Sequence, residues 1–476
     1  MSADFVGLSF VILGILLLIG YLIRLKVKII QKYFIPSSVI AGLLGLLLGP
    51  QVLGALVPEN TPVISEGIFP SEMVDVWKDI PGLFITLIFA TIFLGKKIQP
   101  IKKIWRVAGP QMAFGQTIAW GQYVVGTAIV LLVLIPFFDI HPITGALIEI
   151  SFQGGIGTAT GLAPTFEELG FADARDLGVG MAVIGLTSGL VLGIILINWG
   201  VNNGKSSLLQ EPDEASDEKL KGIFDTLPSA GKQTTRSSAI ETLSIHFAFI
   251  AAAVFLGFLL LRGLQILENN TWGSWTDFTL MEHFPLFTLA LIGSVIVQKM
   301  LDTFFSYPVI SHKIIKRING FALDFMVVSA IASLSLEIIG DHLYPFLILA
   351  AVGIGWNVFA FLVIARKILP DYWFERGICD FGQSMGMTAL GLLLIRISDP
   401  EDKSPALDGF AYKQILFEPI VGGGIFTAAS GPLIVQWGLL PVLILTAALC
   451  VGWFLFGLFY FGKRRGEKFT SEEKTA

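Results

Sequence analysis

Apolar positions do not alternate along this chain; they gather into long unbroken runs. Five come first, at about Phe5–Ile23, Ile35–Val57, Pro81–Gly95, Val107–Pro136 and Leu177–Trp199. A polar stretch from Gly200 to about Glu241 follows, with QEPDEASDEKLKG and SAGKQTTRSS inside it. Six more runs close the chain, at about Leu243–Leu264, Phe284–Val297, Phe321–Ile339, Tyr344–Ala365, Ala411–Trp437 and Leu440–Phe461. Runs of roughly 20 apolar residues suit helices that cross a hydrocarbon layer. The polar stretch reads as a solvated linker, too poor in apolar side chains to build a core.

Two segments break this pattern. SFQGGIGTATGLAP (Ser151 to Pro164) carries a glutamine, three hydroxyl side chains and four glycines between apolar runs. GICDFGQSMGMTALGLLLIRI (Gly377 to Ile397) mixes an aspartate, a glutamine and glycines in the same way. An ordinary spanning helix has no use for either mixture.

Charge placement orients the runs. Lys and Arg concentrate on cytoplasmic loops. Basic clusters follow the first run (Arg24, Lys26, Lys28, Lys32), the third (Lys96, Lys97, Lys102, Lys103, Arg106), the run at Phe321 on its leading side (His312, Lys313, Lys316, Arg317), the ninth (Arg366, Lys367) and the last (Lys463, Arg464, Arg465). The loop PENTPVISEGIFPSEMVDVWKD holds five acids and one lysine. These clusters share one side only if the N-terminus lies outside and the C-terminus in the cytoplasm. The start, MSADFVGLSF, lacks a basic leader and reads as a retained first span.

That orientation forces both unusual segments to enter and leave the membrane on the same side, from opposite faces. The expectation is an all-α polytopic membrane protein built from two inverted-topology five-span repeats. Residues 1–200 form the first repeat, with a re-entrant loop at about 142–176. Residues 201–242 form a cytoplasmic linker. Residues 243–438 form the second repeat, with a re-entrant loop at about 370–410. Residues 439–476 add a span and a cytoplasmic tail.

Composition agrees with a bilayer: 54% hydrophobic, 14% charged, mean hydropathy +0.75. A soluble domain carries roughly 25% charged residues. The net charge of −5 comes with no basic face for nucleic acid. Cys379 and Cys450 make no disulfide framework and no zinc spacing, and the five histidines are scattered singly. No serine–histidine, metal or paired-aspartate set points to an enzyme, and no prosthetic group is called for. The expected partners are a small solute and the lipid bilayer.

Irregular backbone at membrane depth persists only inside protein or along a watery cavity. Glycine there permits positive φ and lets a ligand approach the main chain. Gln153, Gly154, Gly155, Gly157 and Thr158 form one candidate substrate-binding tip, and Gly382, Gln383, Ser384 and Thr388 the other. Acids within spans default to functional candidates. Glu149, Asp324, Asp380 and Glu418 stand out, with Ser151, Thr160 and Asn357 as neutral companions able to ligate a hard cation such as sodium. The bland alternative pairs each acid with Lys413, Arg396 or a hydroxyl. Gln111, Gln116 and Gln122 equally suit interhelical hydrogen bonds. The glycine spacings in Ala41–Gly49 and Gly185–Gly193 read as helix packing. FADARD (Phe171–Asp176) reads as an outer surface whose Arg175 sits in a solvated ion pair.

At these residues the chain resembles the bacterial sodium:glutamate symporters, over roughly Tyr33 to Trp437. YFIPSSVIAGLL is similar to that family's second span, GGIGT with the following EELGF to its first signature, and CDFG with Thr388–Ala389 to its second. The resemblance implies a sodium-driven carrier of two inverted halves, a homodimer with one scaffold domain and one domain that carries substrate elevator fashion. It implies that Gly154, Gly155, Gly157 and Thr158 belong to the first loop and Cys379, Phe381, Gly382, Thr388 and Ala389 to the second. Departures stand at Ile156, where the glutamate carriers tend to have histidine, and at Asp380, where they have glycine. Gln383-Ser384-Met385 replaces a leucine and small residues, Glu149, Asp324 and Glu418 are unusual, and the last span is additional. Sodium-coupled uptake of L-glutamate or a related acidic amino acid or organic anion is the expectation. A proton-coupled carrier or exchanger of another solute is the alternative, and a channel or intramembrane enzyme a third.

Overall fold

The computed structural model describes residues 3–32, 35–57, 66–96, 101–206, 208, 229–236, 238–274, 281, 284–399 and 403–464. Most of the expected linker and the tail from 465 onward lie outside the described residues. The regular structure described is helical throughout. In chain order the principal helices are α1 (Ala3–Lys26), α2 (Ser37–Leu48), α3 (Ser71–Thr91), α4 (Ile101–Ile129), α5 (Leu147–Phe152), α6 (Gly155–Gly161), α7 (Ala163–Glu168) and α8 (Ala174–Asn202). Then come α9 (Thr242–Asn270), α10 (Leu286–Phe304), α11 (His312–Ala332), α12 (Leu343–Phe359), α13 (Trp373–Ser398), α14 (Ala406–Phe417), α15 (Ile425–Trp437) and α16 (Leu439–Phe456).

Among the described residues, 8 helices are long and apolar enough to cross a membrane. They are α1, α2 with its continuation to Gly54, Trp105–Phe138 around α4, α8, α9, α10, Leu343–Ile368 around α12 and Leu439–Arg464 around α16. The protein is a polytopic helical membrane protein. Three of the expected runs differ. α3 and α11 form as 21-residue helices, but each opens on charged turns, SEMVDVWKD and HKIIKR. The run Ala411–Trp437 is two helices, because the chain breaks between Phe417 and Ile425, where Gly422 and Gly423 take φ of 75° and 103°. Only glycine enters that region without steric cost.

The chain folds into two compact units, each drawing on both halves of the sequence: residues 1–97 with 215–338, and residues 98–214 with 339–476.

The first unit contains α1–α3 and α9–α11. Glycines set its tightest crossing. A Cβ on Gly257 of α9 would lie 2.6 Å from the Ala290 backbone nitrogen, and one on Gly293 of α10 would overlap the Ala253 carbonyl. Small residues here let two helix backbones touch. Gly42 and Gly45 of α2 pack likewise on Ile331 and Ala332 of α11, as their spacing predicts. The α9 start is capped by Glu241, whose carboxylate accepts from the Leu243 and Ser244 amides at 2.5 and 3.1 Å. His246, buried, uses both ring nitrogens, with Nδ1 against the Thr242 carbonyl and Nε2 accepting from the Ser311 amide at 2.7 Å. Leu8, Val11, Ile15, Leu18 and Leu22 stand exposed along α1, a stripe suited to lipid rather than water.

The second unit contains α4–α8 and α12–α16. α4 runs on through a π turn (Val130–Leu134) to Phe138, and Asp139 at φ 50° ends it. Ala113, Phe114 and Ile118 of α4 form a buried cluster with Ala360, Ile364, Ile368 and Phe461. α8 lies on the glycine-rich segments through its own glycines: Gly185 and Gly189 press against Met385, and Gly193 against Leu394. Arg175 and Asp176 corrects an expectation: they pair at 2.9 Å with side chains only 11% and 8% exposed, so the pair is buried and not a solvated surface bridge.

Candidate functional site

Both glycine-rich segments are helical hairpins, and both lie in the second unit. In the first, α5 ends at Phe152 and α6 begins at Gly155, whose φ is 76°. A Cβ on Gly178 of α8 would lie 3.0 Å from the Ala159 Cβ and 3.5 Å from the Ser151 Oγ. Ser151 and Ala159 therefore stand side by side, although eight residues of continuous helix would separate them by about 12 Å. The second hairpin is hidden inside α13. Gly386 and Met387 leave helical geometry, Met387 at φ 67°. A Cβ on Gly382 would lie 2.8 Å from the Gly391 Cα, so the two arms fold against each other.

The two tips meet. A Cβ on Gly155 would overlap Cγ and Sδ of Met387. Gly154 is closed in by the Ile150 carbonyl and the Thr158 side chain. Beside this junction lies Gln153, 4% exposed, whose side-chain nitrogen and oxygen are both buried without a hydrogen-bond partner. Ser151 Oγ is buried and unpartnered too. Buried amides and hydroxyls are nearly always satisfied, and the exceptions gather where strain or function calls for them.

A third broken segment completes the surroundings. Gly422 sits with a would-be Cβ 4.0 Å from the Gln153 carbonyl. Its amide donates to Glu149 Oε1 at 2.6 Å, Thr427 Oγ1 donates to the same oxygen at 3.1 Å, and Tyr123 OH donates to Oε2 at 2.5 Å. Glu149 is fully buried, and among the described residues no basic side chain pairs with it. Three neutral donors hold this carboxylate, so its charge is solvated locally but not balanced.

The second tip is held differently. Gln122 of α4 donates to the Ser384 carbonyl at 2.7 Å and to Asn357 Oδ1 at 3.0 Å, and Asn357 Nδ2 donates to the same carbonyl at 3.0 Å. Asp380 and Gln383 both receive the Lys413 ammonium, at 2.5 and 2.6 Å. Gln383 donates onward to Gln414 at 3.0 Å, and Thr388 donates to Glu418 at 3.2 Å.

The structure thus gathers Glu149, Ser151, Gln153, Gly154, Gly155, Gly157, Thr158, Thr160, Asn357, Asp380, Gly382, Gln383, Ser384, Thr388 and Glu418 into one unit. Not all of them offer a free group. Thr158 and Thr160 turn their hydroxyls back on their own helix, to the Gly154 and Ile156 carbonyls at 2.9 and 2.8 Å. Gly382 serves the closure of its hairpin. Asp324 belongs to the first unit, on α11.

Comparison with known proteins fits this arrangement. The family model described as Sodium/glutamate symporter matches residues 6–389, four-fifths of the sequence. The chain belongs to the sodium/glutamate symporter family. That family is one of symporters and not of enzymes. The Sodium/glutamate symporter of Escherichia coli (strain K12) is 24% identical over 380 residues, 79% of this chain and 84% of the relative. The Sodium/glutamate symporter of Shigella flexneri is similar to the same extent. The family match ends one residue past Thr388, so Lys413, Gln414, Glu418 and the glycines at 422–424 all lie beyond it.

Sequence reasoning missed Tyr123, Gly422 and Thr427 as partners of Glu149; Gln122 makes the interhelical hydrogen bonds it was read for, and they turn out to support the second tip. One signal was present: PIVGGG sets a proline and three consecutive glycines inside an apolar run, a breaker signature that a span reading overlooks. Tyr123 carried none, since a lone tyrosine in a long apolar helix looks like packing.

Proposed function

We propose that this protein is a sodium-coupled symporter of L-glutamate or a related acidic amino acid or organic anion. The observation that carries the reading is the junction of Gly155 with Met387, beside an amide and a hydroxyl, Gln153 and Ser151, that have no hydrogen-bond partner among the described residues. A small polar solute with acceptors and donors would satisfy them. Glu149, buried and without a basic partner among the described residues, supplies a hard carboxylate to a coupling cation. Sodium and solute bound together would hold one tip arrangement, so only the loaded or the empty carrier moves.

The two hairpins are proposed to be re-entrant loops from opposite membrane faces, in two inverted repeats. The element order supports this: in each half a long helix with a π turn, at Val130–Leu134 and at Ala360–Ala365, precedes the broken glycine segment. Both tips belonging to one unit supports an elevator-type carrier, with the second unit transporting and the first as scaffold. On the same reading the protein works as a homodimer in the bacterial inner membrane, N-terminus outside and C-terminus cytoplasmic, with residues 201–242 as a cytoplasmic linker.

The test is uptake of radiolabelled glutamate by proteoliposomes at fixed pH, with and without an inward sodium gradient. Uptake that requires sodium is expected. Uptake of another solute that follows a proton gradient and ignores sodium would replace this reading with the proton-coupled one.

A further inference from the structure

Lys413, on α14, is 1% exposed, and its ammonium contacts groups of its own unit. Nζ donates to Asp380 Oδ1 at 2.5 Å and to Gln383 Oε1 at 2.6 Å. It also lies 4.8 Å from the ring centroid of Phe410 and 4.5 Å from that of Phe417. A carboxylate oxygen, an amide oxygen and two aromatic faces are what a bare monovalent cation would accept in the same place. The second carboxylate oxygen, Asp380 Oδ2, is buried and without a hydrogen-bond partner among the described residues. Arg376, one helical turn earlier, is taken up elsewhere, by Asp371 at 3.0 Å, Gln111 Oε1 at 2.9 Å and the Val107 carbonyl at 3.2 Å. Arg376 still acts on Asp380 through space, but Lys413 is the cation in direct contact with it.

We infer that the Lys413 ammonium is a resident cation in an oxygen cradle at the second tip, and that its removal opens the cradle to a free sodium ion. A buried carboxylate stripped of the counter-charge in contact with it is strongly destabilising, and a small cation captured in the cradle would relieve that penalty. Methionine at 413 keeps the alkyl stem against the two rings while deleting the charge. The site itself is argued from these contacts alone. Its consequence for transport rests on the symporter reading: a tethered ammonium does at the second tip what a mobile coupling ion would otherwise do, so this carrier needs one fewer.

The experiment compares wild type, Lys413→Met and Lys413→Met/Asp380→Asn, purified in sodium, potassium or choline chloride. Thermal unfolding and binding of radioactive sodium are read; neither depends on transported substrate, so failure of glutamate uptake would leave the result intact. Lys413→Met is expected to bind one more sodium ion than wild type, and its Tm in sodium to exceed that in choline by roughly 2–5 °C more than in wild type. The double variant should show neither increment. Recovery of folded Lys413→Met in sodium but not in choline supports the inference equally. A sodium response equal to wild type, an increment retained without Asp380, or loss of folded single or double variant in every salt overturns it.

Discussion

A Cβ on Gly155 would overlap the Met387 side chain, and both residues hold positive φ, 76° and 67°. A larger residue at the first tip would thus have to displace the Met387 side chain, and the second tip pays conformational strain to reach it. Methionine in the left-handed region is rare, and such outliers gather at functional sites.

Gly155→Ala should abolish uptake while the protein still inserts and can be purified. Alanine at this φ costs about 1–2 kcal/mol, and the overlap with Met387 adds to it. Gly155→Ala/Met387→Ala relieves the overlap but not the φ cost, so part of the uptake should return. Initial rates in proteoliposomes check both. Wild-type uptake by the single variant would remove the tip junction from the site.

Glu149→Gln should lower uptake more than Tyr123→Phe. The hydroxyls of Tyr123 and Thr427 can turn to accept from an amide, but the Gly422 amide can only donate. The glutamine is forced into one orientation, and the carboxylate offered to a cation is lost. Tyr123→Phe removes one donor of three, worth about 1.5–3 kcal/mol for a charged acceptor. The sodium concentration for half-maximal uptake should rise in both, and further in Glu149→Gln.

Gln122→Leu and Asn357→Leu should be non-additive. Both amides donate to the Ser384 carbonyl, and Gln122 also donates to Asn357 Oδ1. Either deletion loosens the same tip, so the double variant should cost less than the sum of the singles, with a coupling of about 0.5–3 kcal/mol. A double-mutant cycle on substrate affinity measures it; simple additivity would show the two side chains acting apart.

Arg175→Met should destabilise the protein by about 3 kcal/mol, since it takes the contacting guanidinium away from the buried Asp176 carboxylate. Lys78→Met should cost at most about 1 kcal/mol, because its pair with Asp75 is about half exposed. Thermal unfolding of the two variants in one detergent separates them.

Much of the architecture was legible from residue order alone. Helix length, polarity and breaks are local properties: an apolar run of sufficient length makes a spanning helix, and glycine next to polar residues ends one. That placed the breaks at Gly154–Gly155 and near Gly386, and set the class of the protein. The same reasoning failed at Pro419–Gly424, where three glycines inside an apolar run were absorbed into a span.

What the tertiary structure decided is who meets whom. Gly422 and Glu149 are 273 residues apart, Gln122 and Ser384 262, and Lys413 and Asp380 33. Sequence offered Lys413, Arg396 or a hydroxyl as partners of the buried acids, and Lys413 does meet Asp380, but it did not say which donor would reach which acid, because packing of distant helices sets those distances. It could not say that one acid would receive a lysine and the other only neutral donors. That difference, a balanced Asp380 and an unbalanced Glu149 in one unit, arises from how α4, α13, α14 and the glycine loop after α14 fold together, and the chemistry of the site follows from it.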